Sequence, residues 1–219
     1  MTKISFDVVG FDLDGTLLDT AQDLGAALNH ALDTIGRGPV AEDQVRNLIG
    51  GGSALMLHRA LALTGGEDGI DFDALRKVLV HHYAANIAVH TRLFPGGEGM
   101  LDTLAERGIK LAVVTNKPEP LAVRLFDELG LTDRFAAIIG GGRYPLKPAP
   151  DALHAMVAAC GGGRAAYVGD TTFDTHAARA ATLPSVAVSF GFNDLPPDQL
   201  GADAVIDHFD DLIPALAAL

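Results

Sequence analysis

Four places in the sequence join a short apolar run to residues able to do chemistry. The run ending at Phe11 leads into Asp12 and Asp14, with the turn-forming pair Gly15-Thr16 next. The run ending at Val114 leads into Thr115, Asn116 and Lys117. A third run is followed by a loop carrying Lys147, and a fourth by Gly169 and Asp170, with Asp174 shortly after. If these runs are strands of one parallel sheet, their carboxyl ends bring acids, a hydroxyl and lysines to the edge where such sheets bind ligands. Asp12, Asp14 and Asp170 then crowd three negative charges together, which is costly unless a cation neutralises them. A hard cation with oxygen ligands, Mg2+ above all, suits that set and favours a phosphate partner. Lys147 offers a fixed positive charge to phosphate oxygens, and Thr115 offers a hydroxyl donor. A carboxylate can itself attack phosphorus and form an aspartyl-phosphate. A second carboxyl two positions on can protonate the leaving oxygen, then deprotonate the attacking water. Taken alone, the acids at 12–16 read as readily as a turn that caps the next helix. Three partner segments in order weigh against that plainer reading.

The elements that must position these residues follow from hydrophobic pattern. Short β-branched runs at 4–11, 110–114, 136–139, 165–168 and 185–189, with a weaker one at 204–206, predict buried strands. Helical periodicity at 99–107, 120–129, 152–159 and 175–181 separates them. Strands alternating with helices predict an α/β fold: a Rossmann-like, doubly wound parallel sheet with helices on both faces. The stretch from Thr16 to His90 breaks the alternation with helical patterns at 21–32, 41–48, 54–63 and 72–85, and with no strand between them. It predicts a small helical insert, so residues 1–15 and 91–219 form a discontinuous catalytic core and 16–90 a cap.

Composition narrows the class. The 219 residues are 48% hydrophobic and 20% charged, which suits one packed α/β domain with an insert. A net charge of −12 disfavours nucleic acid and anionic membranes as partners, though not a small anion met by a local cluster of cations. The single cysteine, Cys160, excludes an internal disulfide and reads as a small packed residue in a reducing compartment. The first ten residues, MTKISFDVVG, lack a signal-peptide pattern, and no run nears the roughly 18 apolar residues of a membrane helix. A cytoplasmic protein is expected. Monomer and homodimer fit the sequence equally.

DLDGT at 12–16, the Thr115 of VVTNK, the Lys147 of LKPAP and GDTTFD at 169–174 resemble, in order, the four motifs of the haloacid dehalogenase-like phosphatases. The helical insert resembles that superfamily's small cap. The resemblance implies that Asp12 is the nucleophile and Asp14 the general acid/base. It implies that Asp12, the Asp14 main-chain carbonyl and Asp170 hold Mg2+, and that Thr115 and Lys147 hold the phosphoryl group. Asp174 would orient either a metal-bound water or Lys147.

Within that superfamily several residues sort the chemistry. Dehalogenases lack the second acid of the first motif, which is Asp14 here. Phosphonate hydrolases use a cap lysine, and 16–90 holds only Lys77. Sugar-phosphate mutases carry a histidine where this chain has Leu24. Hydrolysis of a small phosphorylated metabolite remains. The segments 11–24, 45–52 and 93–118 are most similar to phosphatases acting on 2-phosphoglycolate. The loop GGGRYPLKPAP and the helix end AATLP depart from them, at a usual acid, a usual histidine (here Ala149) and a usual glycine (here Thr182). The rivals are a phosphatase for a sugar phosphate, pyrophosphate or a nucleoside monophosphate, and a catalytically quiet relative.

Other signals are weaker. IGGGS at 49–53 is not a P-loop, since no Lys-Ser/Thr follows, and reads equally as a helix connection or a specificity loop. Arg46 reads as an anion contact for the substrate or as a solvated helix residue. Lys117 and Asn116, beside Thr115, are expected to touch substrate. His81-His82 reads as a helix face rather than a metal pair.

Overall fold

The computed structural model describes residues 4–219; the first three residues of the expected core and of the leader reading lie outside them. Its strands are β1 (Val8–Phe11), β2 (Leu18–Asp19), β3 (Arg92–Leu93), β4 (Lys110–Pro118), β5 (Ala137–Gly141), β6 (Ala165–Gly169), β7 (Ser185–Val188) and β8 (Ala204–Ile206). Its helices are α1 (Ala21–Thr34), α2 (Glu42–Arg46), α3 (Gly52–Leu63), α4 (Phe72–Ala85), α5 (Gly97–Glu106), α6 (Glu119–Glu128), α7 (Asp151–Ala159), α8 (Thr172–Ala180) and α9 (Leu212–Ala218).

The main sheet has six strands in the order β5–β4–β1–β6–β7–β8, all parallel. Both faces are covered, which is why its strands read as unbroken apolar runs. Val9, Phe11 and Val113 pack into the core on one face, and Val8, Ala112, Val114 and Tyr167 into the core on the other. Gly10 has no side chain because α7 comes too close: a Cβ there would lie 2.1 Å from Met156 Sδ. This is the doubly wound α/β architecture expected from the sequence. Among the described residues, no helix is long and apolar enough to cross a membrane.

Helices α1 to α4 stand between β2 and β3 with no strand among them, as expected; β2 itself, just ahead of α1, was not expected. Leu18 pairs with Leu93 and Asp19 with Arg92, antiparallel, so the two chain crossings into the helical region form a ribbon. Two residues carry no period, and the sequence pattern could not register them. Buried Asp23 of α1 ties the same crossing from the helical side, accepting hydrogen bonds from His90 N, Thr91 N and Thr91 Oγ1. Leu28 and Leu32 of α1 and Leu75 and Leu79 of α4 are buried in the core that continues into these helices.

Three other elements differ from expectation. β1 starts at Val8 rather than residue 4, with Asp7 in a bend whose side chain accepts from Arg164 N. β4 runs past 114 to Pro118, carrying buried Thr115, Asn116 and Lys117 within it. α9 has no counterpart in the sequence reading.

Candidate active site

β1 lies between β4 and β6, with Phe11 level with both Val113 and Val168. The residues that follow therefore leave the sheet side by side: Asp12 from β1, Thr115 within β4 and Asp170 after β6. Asp12 N donates to Val168 O at 2.9 Å, which holds the acid at the strand end. One carboxylate oxygen from each of Asp12, Asp170 and Asp174 falls within 4.8 Å of the others, and all three residues are buried. Lys147, from the loop after β5, enters the same space. Its Nζ lies 2.8 Å from Asp12 Oδ1 and 2.6 Å from Asp174 Oδ1, and it donates to Val114 O at 3.1 Å.

Both oxygens of Asp174 are engaged inside the protein. Oδ1 meets Lys147, and Oδ2 accepts from Asp170 N, Thr171 N and Thr171 Oγ1. The last of these contacts close a capping box at the start of α8. Of the two partners expected for Asp174, Lys147 is in contact with it. Asp170 is cradled: Thr16 Oγ1 donates to its Oδ1 at 2.8 Å and Phe192 N to its Oδ2 at 2.7 Å. Gly15 turns the chain here at φ 84°, and a Cβ on it would stand 2.3 Å from Asp170 Oδ2.

The charges are unbalanced. Burial works against the Lys147 ammonium, yet Asp12 and Asp174 together hold it well above the ordinary lysine value. Burial pushes the Asp12 carboxyl up to about 6; Lys147 opposes this and Asp174 adds to it. Burial, with Asp174 and Asp12 adding, also holds Asp170 well above the carboxylate range, despite the donors from Thr16 and Phe192. One lysine does not neutralise three acids in so dry a place.

A second polar group sits beside the first. Asp14 is half-buried: both its oxygens lie 2.8 Å from Lys117 Nζ, and Oδ1 accepts from Thr20 Oγ1. Burial works against the Lys117 charge, but Asp14 and Tyr83 outweigh it and keep the ammonium above its usual value. Thr115 Oγ1 accepts from Lys117 N. The Asn116 amide is engaged at both ends by the Lys147 backbone, donating to its carbonyl and accepting from its N–H, so Asn116 braces the Lys147 loop.

Asp12, Asp14, Thr115, Asn116 and Lys117 line one side of a cavity of about 50 Å³. Helical-region residues, including Leu24, Met56, Leu79 and Tyr83, line the other. The glycine stretch closes against the sheet edge, where a Cβ on Gly50 would touch Thr171 and one on Gly52 would touch the Asn116 carbonyl. Arg46 is not brought to this cavity. It pairs with Asp19 at 2.6 Å and lies over the Phe192 ring. Tyr83 was missed in the sequence. Its signal was a place four residues after Leu79 and eight after Leu75, on the buried stripe of α4.

A family model described as haloacid dehalogenase-like hydrolase matches residues 9–188. A phosphoglycolate phosphatase of Agrobacterium fabrum is 44% identical, the match covering 94% of this chain and 90% of the relative. The chain belongs to the haloacid dehalogenase-like hydrolases. A phosphoglycolate phosphatase of Caulobacter vibrioides is 41% identical over 96% of this chain and 91% of its own. Among solved structures, one named a predicted phosphoglycolate phosphatase, from Haemophilus somnus, superposes with a TM-score of 0.89 at 28% identity, covering 96% of this chain and 98% of that one. Haloacid dehalogenase-like phosphatases usually use Mg2+. The residues here fit such an ion: buried carboxylates of Asp12 and Asp170 converge beside Asp174, both are raised by burial, and Asp12 Oδ1 has only the Lys147 ammonium beside it, with no hydrogen bond of ordinary geometry.

Proposed function

We propose that this hydrolase is a Mg2+-dependent phosphatase of the cytoplasm that cleaves 2-phosphoglycolate to glycolate and phosphate through an aspartyl-phosphate on Asp12. The observation that carries the reaction is the meeting of Asp12, Asp170 and Lys147 at adjacent strand ends, with Lys147 Nζ 2.8 Å from Asp12 Oδ1. The substrate rests on the phosphoglycolate phosphatases to which the chain is similar over almost its whole length.

The Asp12 carboxylate attacks phosphorus, and the bond from phosphorus to the leaving oxygen breaks. Asp14, oriented by Lys117 and Thr20, gives that oxygen a proton and so releases glycolate. Asp14 then takes a proton from a water, which attacks phosphorus and restores Asp12. Lys147, fixed by Asp174, and the Thr115 hydroxyl meet the negative oxygens that the transfer leaves exposed. Asp12, the Asp14 carbonyl and Asp170 would hold Mg2+, which would supply positive charge to offset the acids and the phosphoryl oxygens. The 16–90 region acts as a cap that keeps water from the acyl phosphate, a role supported by Gly50 and Gly52, which line the same cavity as Thr115 and Asn116.

The test is phosphate release from 2-phosphoglycolate, a hexose phosphate, pyrophosphate and a nucleoside monophosphate, each with Mg2+. The highest kcat/KM is expected for 2-phosphoglycolate. A different winner would replace the substrate, and release from none would remove the activity.

A further inference from the structure

Whatever leaves from phosphorus must lie between Asp14 and the helical region, and that space has few polar groups. Most of its far wall is apolar, built by Leu24, Ile49, Met56, Leu79 and Val80. Lys117 is the one cation among the described residues that line the cavity. Arg46, the cation expected there, is held by Asp19 and Phe192. From α4, however, Tyr83 reaches in. It is 2% exposed, its ring lies 4.6 Å from Lys117 Nζ, and its hydroxyl, though beside that ammonium, makes no hydrogen bond of ordinary geometry. A buried phenol hydroxyl left unpaired is costly, and in native proteins it generally waits for a partner. Burial pushes that phenol up to about 12, so near neutral pH it is a donor.

We propose that Tyr83 determines specificity: its hydroxyl, beside Lys117, donates to a carboxylate on the leaving group. Reach favours this chemistry. Lys117 already touches both oxygens of Asp14, the group that serves the leaving oxygen. In a phosphorylated 2-hydroxy acid the carboxylate is one carbon from the leaving oxygen, so the same ammonium and the adjacent phenol lie near it. A lysine has three donors, and a carboxylate accepts from a lysine and a phenol together. An ester without a carboxylate gains nothing from Tyr83. Discrimination follows from a buried polar group that only the right substrate satisfies.

The inference rests on the phosphatase reading above, and the experiment separates the two. The wild type and Tyr83→Phe are compared on 2-phosphoglycolate and on ethyl phosphate, which lacks the carboxylate. The variant keeps the ring and loses only the hydroxyl. The preference for 2-phosphoglycolate, as a ratio of kcat/KM values, should fall about ten-fold, mainly through KM. The melting temperature should change little, since the lost hydroxyl makes no hydrogen bond of ordinary geometry in the protein. A wild type that shows no preference for 2-phosphoglycolate would remove the substrate assignment and this subsite together. A wild type that prefers it, with a Tyr83→Phe variant that weakens both substrates equally or neither, would leave the enzyme standing and remove Tyr83 from the subsite.

Discussion

The sheet edge and the helical region face each other across one cavity and treat polar groups in opposite ways. On the edge, each polar group meets another inside the protein, although the charges do not cancel: Lys147 with Asp12 and Asp174, Lys117 with Asp14, and Asp170 with Thr16 and Phe192 N. Across the cavity the wall is largely apolar, and the phenol it contributes is unmatched. The edge handles the phosphoryl group, common to every substrate, so its groups can be preset. The helical side meets the part that varies, and a site that leaves a donor unsatisfied selects the ligand able to satisfy it.

The largest effect should come from the edge. Asp12→Asn removes the attacking charge and should lower turnover by several orders of magnitude. Because burial already disfavours the Asp12 charge, the metal-free variant should melt no lower than the wild type at neutral pH. Steady-state kinetics beside a thermal melt would check both halves. Near-normal turnover would remove the covalent route.

Asp174→Asn probes the matching itself. The carboxylate presents two acceptor oxygens, one to Lys147 and the other to the donors at the start of α8. An amide has only one acceptor, so whichever way it turns, its NH2 faces a donor. The variant should lose about 3 kcal/mol of stability in chemical denaturation, as expected when one partner of a buried ion pair is removed. Turnover should fall with it, since Lys147 is no longer held in place. An unchanged midpoint would mean that the edge is not prematched.

How much of this was legible in the sequence divides along the same line. The strand ends were legible because a parallel sheet buried on both faces writes its strands as apolar runs and its site as the polar residues that interrupt them. Asp12, Thr115 and Asp170 are such interruptions. The continuation of β4 through Thr115, Asn116 and Lys117 was not legible, because those residues are buried for the site and not for the core. Asn116 was expected to meet substrate, but the side chain that fits a phosphate also fits a backbone, and Lys147 takes it. On the helical side the pattern gave helices without their partners. Arg46 looked free to bind an anion because the sequence does not show that β2 carries Asp19 to it.

A third measurement concerns the imbalance at the edge. An acid whose value in the folded protein is raised favours the fold when protonated. That advantage is complete below the ordinary value of 3.8 and is lost as pH rises through the folded value of about 6 for Asp12. Asp170 shifts in the same direction. The metal-free site should therefore weaken the fold more at pH 7.5 than at pH 5, and Mg2+ should raise the melting temperature more at pH 7.5. Ordinary carboxylates are ionised at both pH values and would give equal shifts. Equal shifts in calorimetry with EDTA and then Mg2+ would show that the raised acids are not where the ion binds.

The smallest effect is expected on the helical side, at Arg46. Its pairing with Asp19 is partly exposed, 37% and 34% for the two side chains, and such pairs contribute roughly 0–1 kcal/mol. Its place over the Phe192 ring adds about 0.5–1 kcal/mol at an exposed site. Arg46→Ala should thus cost about 1 kcal/mol of stability. It should change KM by less than about three-fold, equally for 2-phosphoglycolate and ethyl phosphate, because no charged contact to the carboxylate is lost. Measured beside Tyr83→Phe, the pair of variants decides which residue of the helical region reads the substrate. A ten-fold rise in KM confined to 2-phosphoglycolate in Arg46→Ala would mean that Arg46 leaves Asp19 when substrate binds. The helical region would then supply a charge as well as a phenol.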